Sequence, residues 1–130
     1  MSDDSLEDLT LRLRAFARAR DWEQFHTPKN PSMALSVEVT GLVEHFQWLT
    51  PEEAEALAQD PEVAEELGTE IADTAIYLIR LTDVLGIDVT AEVRKKIDRN
   101  EERFPVDRIR GRATPDSRSK ASDPGETSGQ

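Results

Sequence analysis

Apolar side chains recur along the chain at the three- and four-residue spacing that places them on one face of a helix. The first such stretch follows Ser5 and Asp8, which have the spacing of a capping box. Its apolar positions are Leu6, Leu9, Leu13, Phe16 and Ala17. This pattern predicts a first amphipathic helix that begins at Ser5.

Start signals mark two further helices. Asn30-Pro31 resembles an N-cap followed by a proline in the first turn, and it predicts a second helix that runs to about Trp48. Thr50 and Glu53 form a second capping-box pair. They predict a short acidic helix.

A further start signal, Asp60-Pro61, opens a long apolar helix that we expect to end at Gly86. From about residue 89 a last helix should direct Val93 and Ile97 toward the core and stop before Pro105. No segment alternates like a strand. We therefore predict an all-α fold, a bundle of four to five helices.

The long helix carries the most informative pair of charges. Glu70 and Asp73 are three residues apart, so both carboxylates lie on one helical face. Thr74, Tyr77 and Arg80 extend this polar stripe, while apolar residues cover the rest of the circumference, which predicts a mostly buried helix. Two carboxylates that lose hydration together cost several kcal/mol each unless a positive charge pairs with them. A divalent cation would meet that need.

Composition narrows the functional classes. A length of 130 residues fits one domain, and the absence of cysteine excludes disulfides, thiolate metal sites and thiol nucleophiles. The net charge of −11 argues against binding nucleic acid polymers. The sequence contains no run of the roughly 18 apolar residues that a membrane helix needs. Its acidic start lacks the features of a signal peptide. We expect a cytoplasmic protein without membrane or nucleic-acid partners.

The C-terminal segment differs in composition from the rest. Residues 113–130 contain no large apolar side chain, so burial cannot offset the entropy of ordering them. We predict one domain over residues 1–112 and a disordered polar tail over 113–130.

The second helix holds one more candidate carboxylate, Glu38, with apolar residues on both sides. Glu38 is either a solvated rim residue or a partner of the Glu70 pair, and the pattern alone leaves both open. His45 returns to the same face, but about 10 Å further along the axis. We interpret His45 as a packed or half-exposed histidine rather than a metal ligand.

Four segments in order resemble a known family. They are Arg20-Asp-Trp-Glu-Gln-Phe-His26, Glu44-His-Phe-Gln-Trp48, Glu70-Ile-Ala-Asp-Thr-Ala-Ile-Tyr-Leu78 and Lys96-Ile-Asp-Arg-Asn-Glu-Glu-Arg-Phe-Pro105. The chain between about Leu6 and Arg112 resembles the MazG-like all-α nucleoside triphosphate pyrophosphohydrolases, most closely their dCTP pyrophosphatase branch. The polar tail lies outside the resemblance.

The resemblance implies a metal site built from Glu-x-x-Glu on one helix and Glu-x-x-Asp on a later one. Glu70 and Asp73 match the second half, and Glu38 matches the first glutamate, but Gly41 stands where the second glutamate belongs. The resemblance thus implies Glu38, Glu70 and Asp73 as catalytic residues that hold Mg²⁺, or Mn²⁺. Because Mg²⁺ takes many ligands from water and phosphates, we expect a weakened or adjusted site rather than a dead one.

The implied reaction is hydrolysis of a nucleoside triphosphate between its α and β phosphates. On the matching segments the resemblance implies these substrate-binding residues: Trp22, His26, Trp48, Tyr77, Lys96, Asn100 and Arg103. Helical spacing puts the last three on one face, where they could meet phosphates or form an ordinary solvated helix end. Each tryptophan could stack on a base or fasten a loop.

Two other functional classes remain open. A degenerate relative, disabled at Gly41, could act only as a nucleotide-binding or helical interaction module. A plain helical bundle is the second alternative. In every case a helix that is apolar on most sides needs more cover than one chain supplies, so we expect a homodimer or homotetramer.

Overall fold

The computed structural model describes residues 5–113, which form six α-helices. The elements are α1 (Leu6–Ala19), α2 (Lys29–Glu44), α3 (Pro51–Ala56), a 3₁₀ turn (Leu57–Gln59), α4 (Pro61–Leu85), α5 (Val89–Arg103) and α6 (Val106–Ile109). These residues contain no strand, which confirms the all-α prediction; α6 is one helix more than expected. The predicted tail lies outside the described residues except for Ala113.

Capping residues define several helix ends as predicted. Ser5 Oγ accepts a hydrogen bond from the Asp8 amide at 3.2 Å, and the Asp8 side chain accepts one from the Ser5 amide. Thr50 forms the second capping box with Glu53, where the amide-to-hydroxyl distance is 3.2 Å. Gly86 ends α4 with a φ of 67°, the left-handed conformation that glycine adopts without steric cost.

The predicted bounds of α2 are wrong at both ends. The helix begins at Lys29, and Asn30 does not cap it, because its side-chain amide donates to the Phe25 carbonyl at 2.9 Å. It ends at Glu44 rather than near Trp48. There the Phe46 amide bonds to the Val43 carbonyl at 2.9 Å, a three-residue step that tightens the chain into turns.

The chain divides into two compact units, one ending at Val89 and the other beginning at Thr90. In the first unit, α4 packs against both α1 and α2. The buried hydrophobic residues of the described chain are Ala17, Ile79 and, at the start of α2, Pro31. Arg80 is buried with them at 4 % exposure. The core is therefore small and holds one charged side chain.

The long helix α4 is not mostly buried in the single chain, contrary to the prediction. Ile71 is 55 % exposed and Leu78 is 44 % exposed. The physical reason is that α1 and α2 cover only part of the helix circumference. In the second unit, Val93 and Ile97 are also about half exposed rather than directed into a core. That unit holds α5 and the one-turn α6, which offer little apolar cover. None of the described helices is long and apolar enough to cross a membrane.

Candidate functional site

Two close approaches show how α2 lies on α4. Near the end of α2, a Cβ atom placed on Gly41 would lie 3.6 Å from Glu70 Oε1. Just before α2 begins, His26 Nδ1 accepts a hydrogen bond from Arg80 Nε near the end of α4. The start of one helix thus meets the end of the other, so the two helices run antiparallel.

Glu70 faces α2 at the position where the sequence lacks a carboxylate. The space beside Gly41 would accept a Cβ at ordinary van der Waals distance from Glu70. One turn after Gly41, His45 Nε2 lies 2.9 Å from Glu70 Oε2. The contact is close but lacks hydrogen-bond geometry, because buried Oε2 has no hydrogen-bond partner among the described residues. His45 is half-buried, and the sequence pattern had not connected it to Glu70.

Glu38 and Asp73 continue the same pair of faces. Glu38 lies one turn before Gly41, and Asp73 lies one turn after Glu70. Because α2 and α4 are antiparallel, the step from Gly41 back to Glu38 runs in the same direction as the step from Glu70 on to Asp73. Glu38 and Asp73 therefore lie at the same height along the two helices. Both residues are half-buried.

The donors on these faces suit a divalent cation in their chemistry. Carboxylate oxygens are the ligands that Mg²⁺ prefers, and buried Glu70 Oε2 still lacks a hydrogen bond. Within residues 5–113, however, no three histidine, aspartate or glutamate side chains converge into a ready metal site. A cation held here would need water and phosphate oxygens to complete its coordination.

A cavity of about 250 Å³ lies beside this region, between α1, α4 and the segment that joins α1 to α2. It brings together four residues that the resemblance had named, namely Trp22, His26, Asp73 and Tyr77. The other lining residues are Leu13, Phe16, Ile76 and Arg80. The lining therefore combines aromatic and apolar side chains with four polar groups: a carboxylate, an imidazole, a phenol and a guanidinium.

The aromatic rings of Phe16 and His26 both contact Trp22 beside the cavity. Trp22 meets Phe16 edge to face with centroids 5.7 Å apart, and it lies 6.3 Å from the His26 ring. Trp22 remains 43 % exposed, so one part of the indole is packed and another part is accessible. Such a surface can both support the loop and stack on a planar ligand.

Arg80, one of the polar residues that line the cavity, belongs to a network of charged side chains. Asp83 accepts bonds from Arg14 Nε at 3.0 Å and from Arg80 Nη1 at 2.9 Å. The Arg14 hydrogen bond holds the pKa of Asp83 below its ordinary value, and the charges of both arginines act in the same direction against burial. Burial, followed by the charge of Arg80, lowers the pKa of His26. The network therefore favours an ionised Asp83 and a neutral His26.

The remaining residues named from the sequence lie elsewhere. Trp48 is 86 % exposed and does not line this cavity. Lys96, Asn100 and Arg103 are on α5, in the second unit. Asn100 is half-buried, while the two basic side chains are exposed, and the Arg103 guanidinium lies 5.1 Å from the Phe104 ring centroid.

Sequence reasoning missed Asp83 and Arg14, and it missed the contact between His45 and Glu70. Arg80 had been noticed only as part of a polar stripe. The available signal was Arg80 with Asp83, an ion pair at i, i+3 inside an apolar helix. Arg14 is 69 residues from Asp83 in the chain, and no local pattern connects them.

Comparisons with known proteins identify the relatives of this chain. A family model described as MazG-like matches residues 33–114. The dCTP pyrophosphatase 1 of Bos taurus is 41% identical over 112 residues, which are 86% of this chain and 66% of the relative. The human dCTP pyrophosphatase 1 is 38% identical over 104 residues, 80% of this chain and 61% of the relative.

A solved structure extends the comparison to three dimensions. The crystal structure of a pyrophosphatase from Archaeoglobus fulgidus superimposes with a TM-score of 0.70 at 38% identity, covering 76% of this chain and 91% of that one. The chain spans slightly less than two thirds of the curated relatives that it matches. The family model covers more than half of the chain, which therefore belongs to the MazG-like family.

Proposed function

We propose that this chain is a nucleoside triphosphate pyrophosphohydrolase, which cleaves (deoxy)nucleoside triphosphates with water between the α and β phosphates. The products are a nucleoside monophosphate and pyrophosphate. The observation that carries the proposal is the cavity in which Trp22, His26 and Tyr77 border Asp73. An aromatic pocket suited to a nucleobase thus adjoins a helix face suited to a cation that neutralises phosphates.

We assign roles by position. Trp22 and His26 contact the base or sugar, and Tyr77, one turn after Asp73, contacts the nucleotide or orients that carboxylate. Glu38, Glu70 and Asp73 would hold Mg²⁺ or Mn²⁺. When bound, such a cation neutralises phosphate charge and lowers the pKa of water. Trp48 and the α5 residues Lys96, Asn100 and Arg103 remain proposed substrate contacts.

The relatives suggest the substrate class. Curated proteins that resemble this chain are named dCTP pyrophosphatase 1. We therefore propose dCTP or a modified dCTP as the preferred substrate, and removal of unwanted nucleotides from the cytoplasmic pool as the role. The exposed apolar side chains of α4, such as Ile71 and Leu78, support assembly into a homodimer or homotetramer. Sedimentation as a monomer would contradict that assembly.

A second candidate function is nucleotide binding, or helical interaction, without hydrolysis. Two observations favour it: Gly41 supplies no carboxylate, and Glu70 lies against His45 instead. An inactive relative of this kind would still use the aromatic cavity.

One experiment separates these candidates. Pyrophosphate release is measured from a panel of NTPs and dNTPs, with Mg²⁺ or Mn²⁺, for wild type and for Glu70→Ala. Glu65→Ala is the matched control, because Glu65 is exposed and lies about 140° around the same helix. We expect Glu70→Ala to abolish release and Glu65→Ala to retain it.

Gly41→Glu then tests the missing ligand. We expect release to rise by about 10–100-fold, the usual scale of changes around a metal site. The new carboxylate would lie beside Glu70. Addition of Mg²⁺ should therefore raise the melting temperature of the Gly41→Glu variant more than that of wild type. A silent wild type with an active Gly41→Glu variant would support the binding-only candidate.

A further inference from the structure

His26 is held by a partner that determines which ring nitrogen carries its proton. Arg80 Nε donates to His26 Nδ1 at 3.3 Å. A guanidinium has only donors, so Nδ1 must be the unprotonated, accepting nitrogen. A neutral imidazole carries one proton, which must then be on Nε2.

Arg80 is itself fixed in place. Its side chain is 5 % exposed, and Nη1 donates to Asp83 Oδ2 at 2.9 Å. Asp83 in turn accepts from Arg14 Nε at 3.0 Å and from Arg14 Nη2 at 2.6 Å. A continuous series of hydrogen bonds therefore runs from Arg14 on α1 through the end of α4 to His26, three residues before α2.

The electrostatics keep His26 in the neutral form that this geometry needs. Burial lowers its pKa, and the charge of Arg80 lowers it further, against an opposing effect of Glu23. Near neutral pH the ring has one donor and one acceptor, and Arg80 occupies the acceptor.

We infer that Arg80 is a positioning residue, which fixes His26 as the tautomer protonated on Nε2 so that the cavity offers the nucleotide a hydrogen-bond donor. The preferred ligand atom is then an acceptor, such as the carbonyl oxygen of a pyrimidine. The inference rests on the proposed function for the nature of the ligand. The tautomer itself follows from contacts within the chain.

The tautomer is tested by ¹⁵N NMR of the histidine side chains in the full-length protein without nucleotide. We expect the His26 spectrum near neutral pH to show an unprotonated Nδ1 and a protonated Nε2. A spectrum with the proton on Nδ1, or with an even mixture of tautomers, would overturn the inference. His26→Gln assigns the signals.

Arg80→Met tests the source of the preference, with Arg94→Met, an exposed position on α5, as the control. We expect Arg80→Met to mix the tautomers and raise the KM for the nucleotide by about three- to tenfold, with a smaller change in kcat. Arg94→Met should change neither. If the Arg80→Met variant folds and His26 keeps the same tautomer, Arg80 does not position His26 and the inference is wrong. If that variant fails to fold, the wild-type ¹⁵N spectrum still shows which ring nitrogen of His26 carries the proton and so tests the inference.

Substitutions at His26 test whether the donor is used. Glutamine keeps an N–H donor while methionine removes it, so His26→Gln should have a KM closer to wild type than His26→Met. Equal KM values would count against the donor role. If no triphosphate is hydrolysed, the proposed function fails, whereas the NMR result stands separately.

Discussion

Replacing Asp83 with asparagine should be the most destabilising single change of charge in the first unit. Asp83 is the carboxylate that neutralises both Arg14 and Arg80, and its own side chain is 12 % exposed. Asparagine keeps the shape of the side chain but removes the negative charge. The Arg80 guanidinium, 5 % exposed, would then lose the carboxylate that it binds.

The magnitude follows from the burial of Arg80. Removing one member of a buried ion pair costs about 3–5 kcal/mol, because the remaining charge stays desolvated. Solvent reaches part of this network, since the Arg14 side chain is 37 % exposed, so we take the lower end of that range. We therefore expect the free energy of unfolding to fall by about 3 kcal/mol, with a decrease in Tm of about 12 °C or more for a domain of this size.

Urea unfolding at pH 7 and at one fixed protein concentration would measure this loss. Glu92→Gln is the matched control, because Glu92 forms an exposed ion pair with Lys95. Exposed pairs of this kind contribute about 1 kcal/mol or less. The reasoning would be refuted if Asp83→Asn cost no more than Glu92→Gln.

The stabilisation that Asp83 provides should also depend on pH. The folded state holds the pKa of Asp83 below its ordinary value of 3.8, so its stabilisation is fully present above that value and is lost as the pH falls through the lower folded-state value. The difference in unfolding free energy between wild type and Asp83→Asn should therefore narrow on acidification. A difference in unfolding free energy that stays constant down to the lowest pH at which both proteins fold would contradict this explanation.

Three further predictions concern single residues. Thr50→Ala removes the hydroxyl that caps α3 and should lower the unfolding free energy by about 1 kcal/mol, measured against Thr69→Ala as an exposed helical control. Gly86→Ala forces a side chain into a φ of 67°, where Cβ crowds its own backbone, and should cost about 1–2 kcal/mol by urea unfolding, although no more distant part of the chain lies within 4 Å of that Cβ. Because the folded state lowers the pKa of His26 below 6.5, wild type should lose stability as the pH falls below that value; His26→Gln should lack this decline in urea titrations.

Local sequence signals predicted the helices well where one turn of chain contains the whole interaction. The capping boxes at Ser5 and Thr50 and the glycine after α4 are of this kind, and all three form as expected. The prediction failed at Asn30, whose side chain bonds to Phe25 instead of capping α2. An amide that can bond in several local ways is a weaker signal than a reciprocal capping pair.

The sequence by itself determined the helical class, the pairing of Glu70 with Asp73 on one face and the family resemblance, because these depend on short spacings along the chain. Tertiary structure alone decided that Glu70 lies beside Gly41 and His45, and that hydrogen bonds link Arg14 to Asp83 and Arg80 to His26. Apart from the Arg80–Asp83 pair within α4, these contacts join residues far apart in sequence, and they form only when α1 and α2 pack on α4. Burial in that packing also sets which charges must be paired and which face of His26 remains for a ligand.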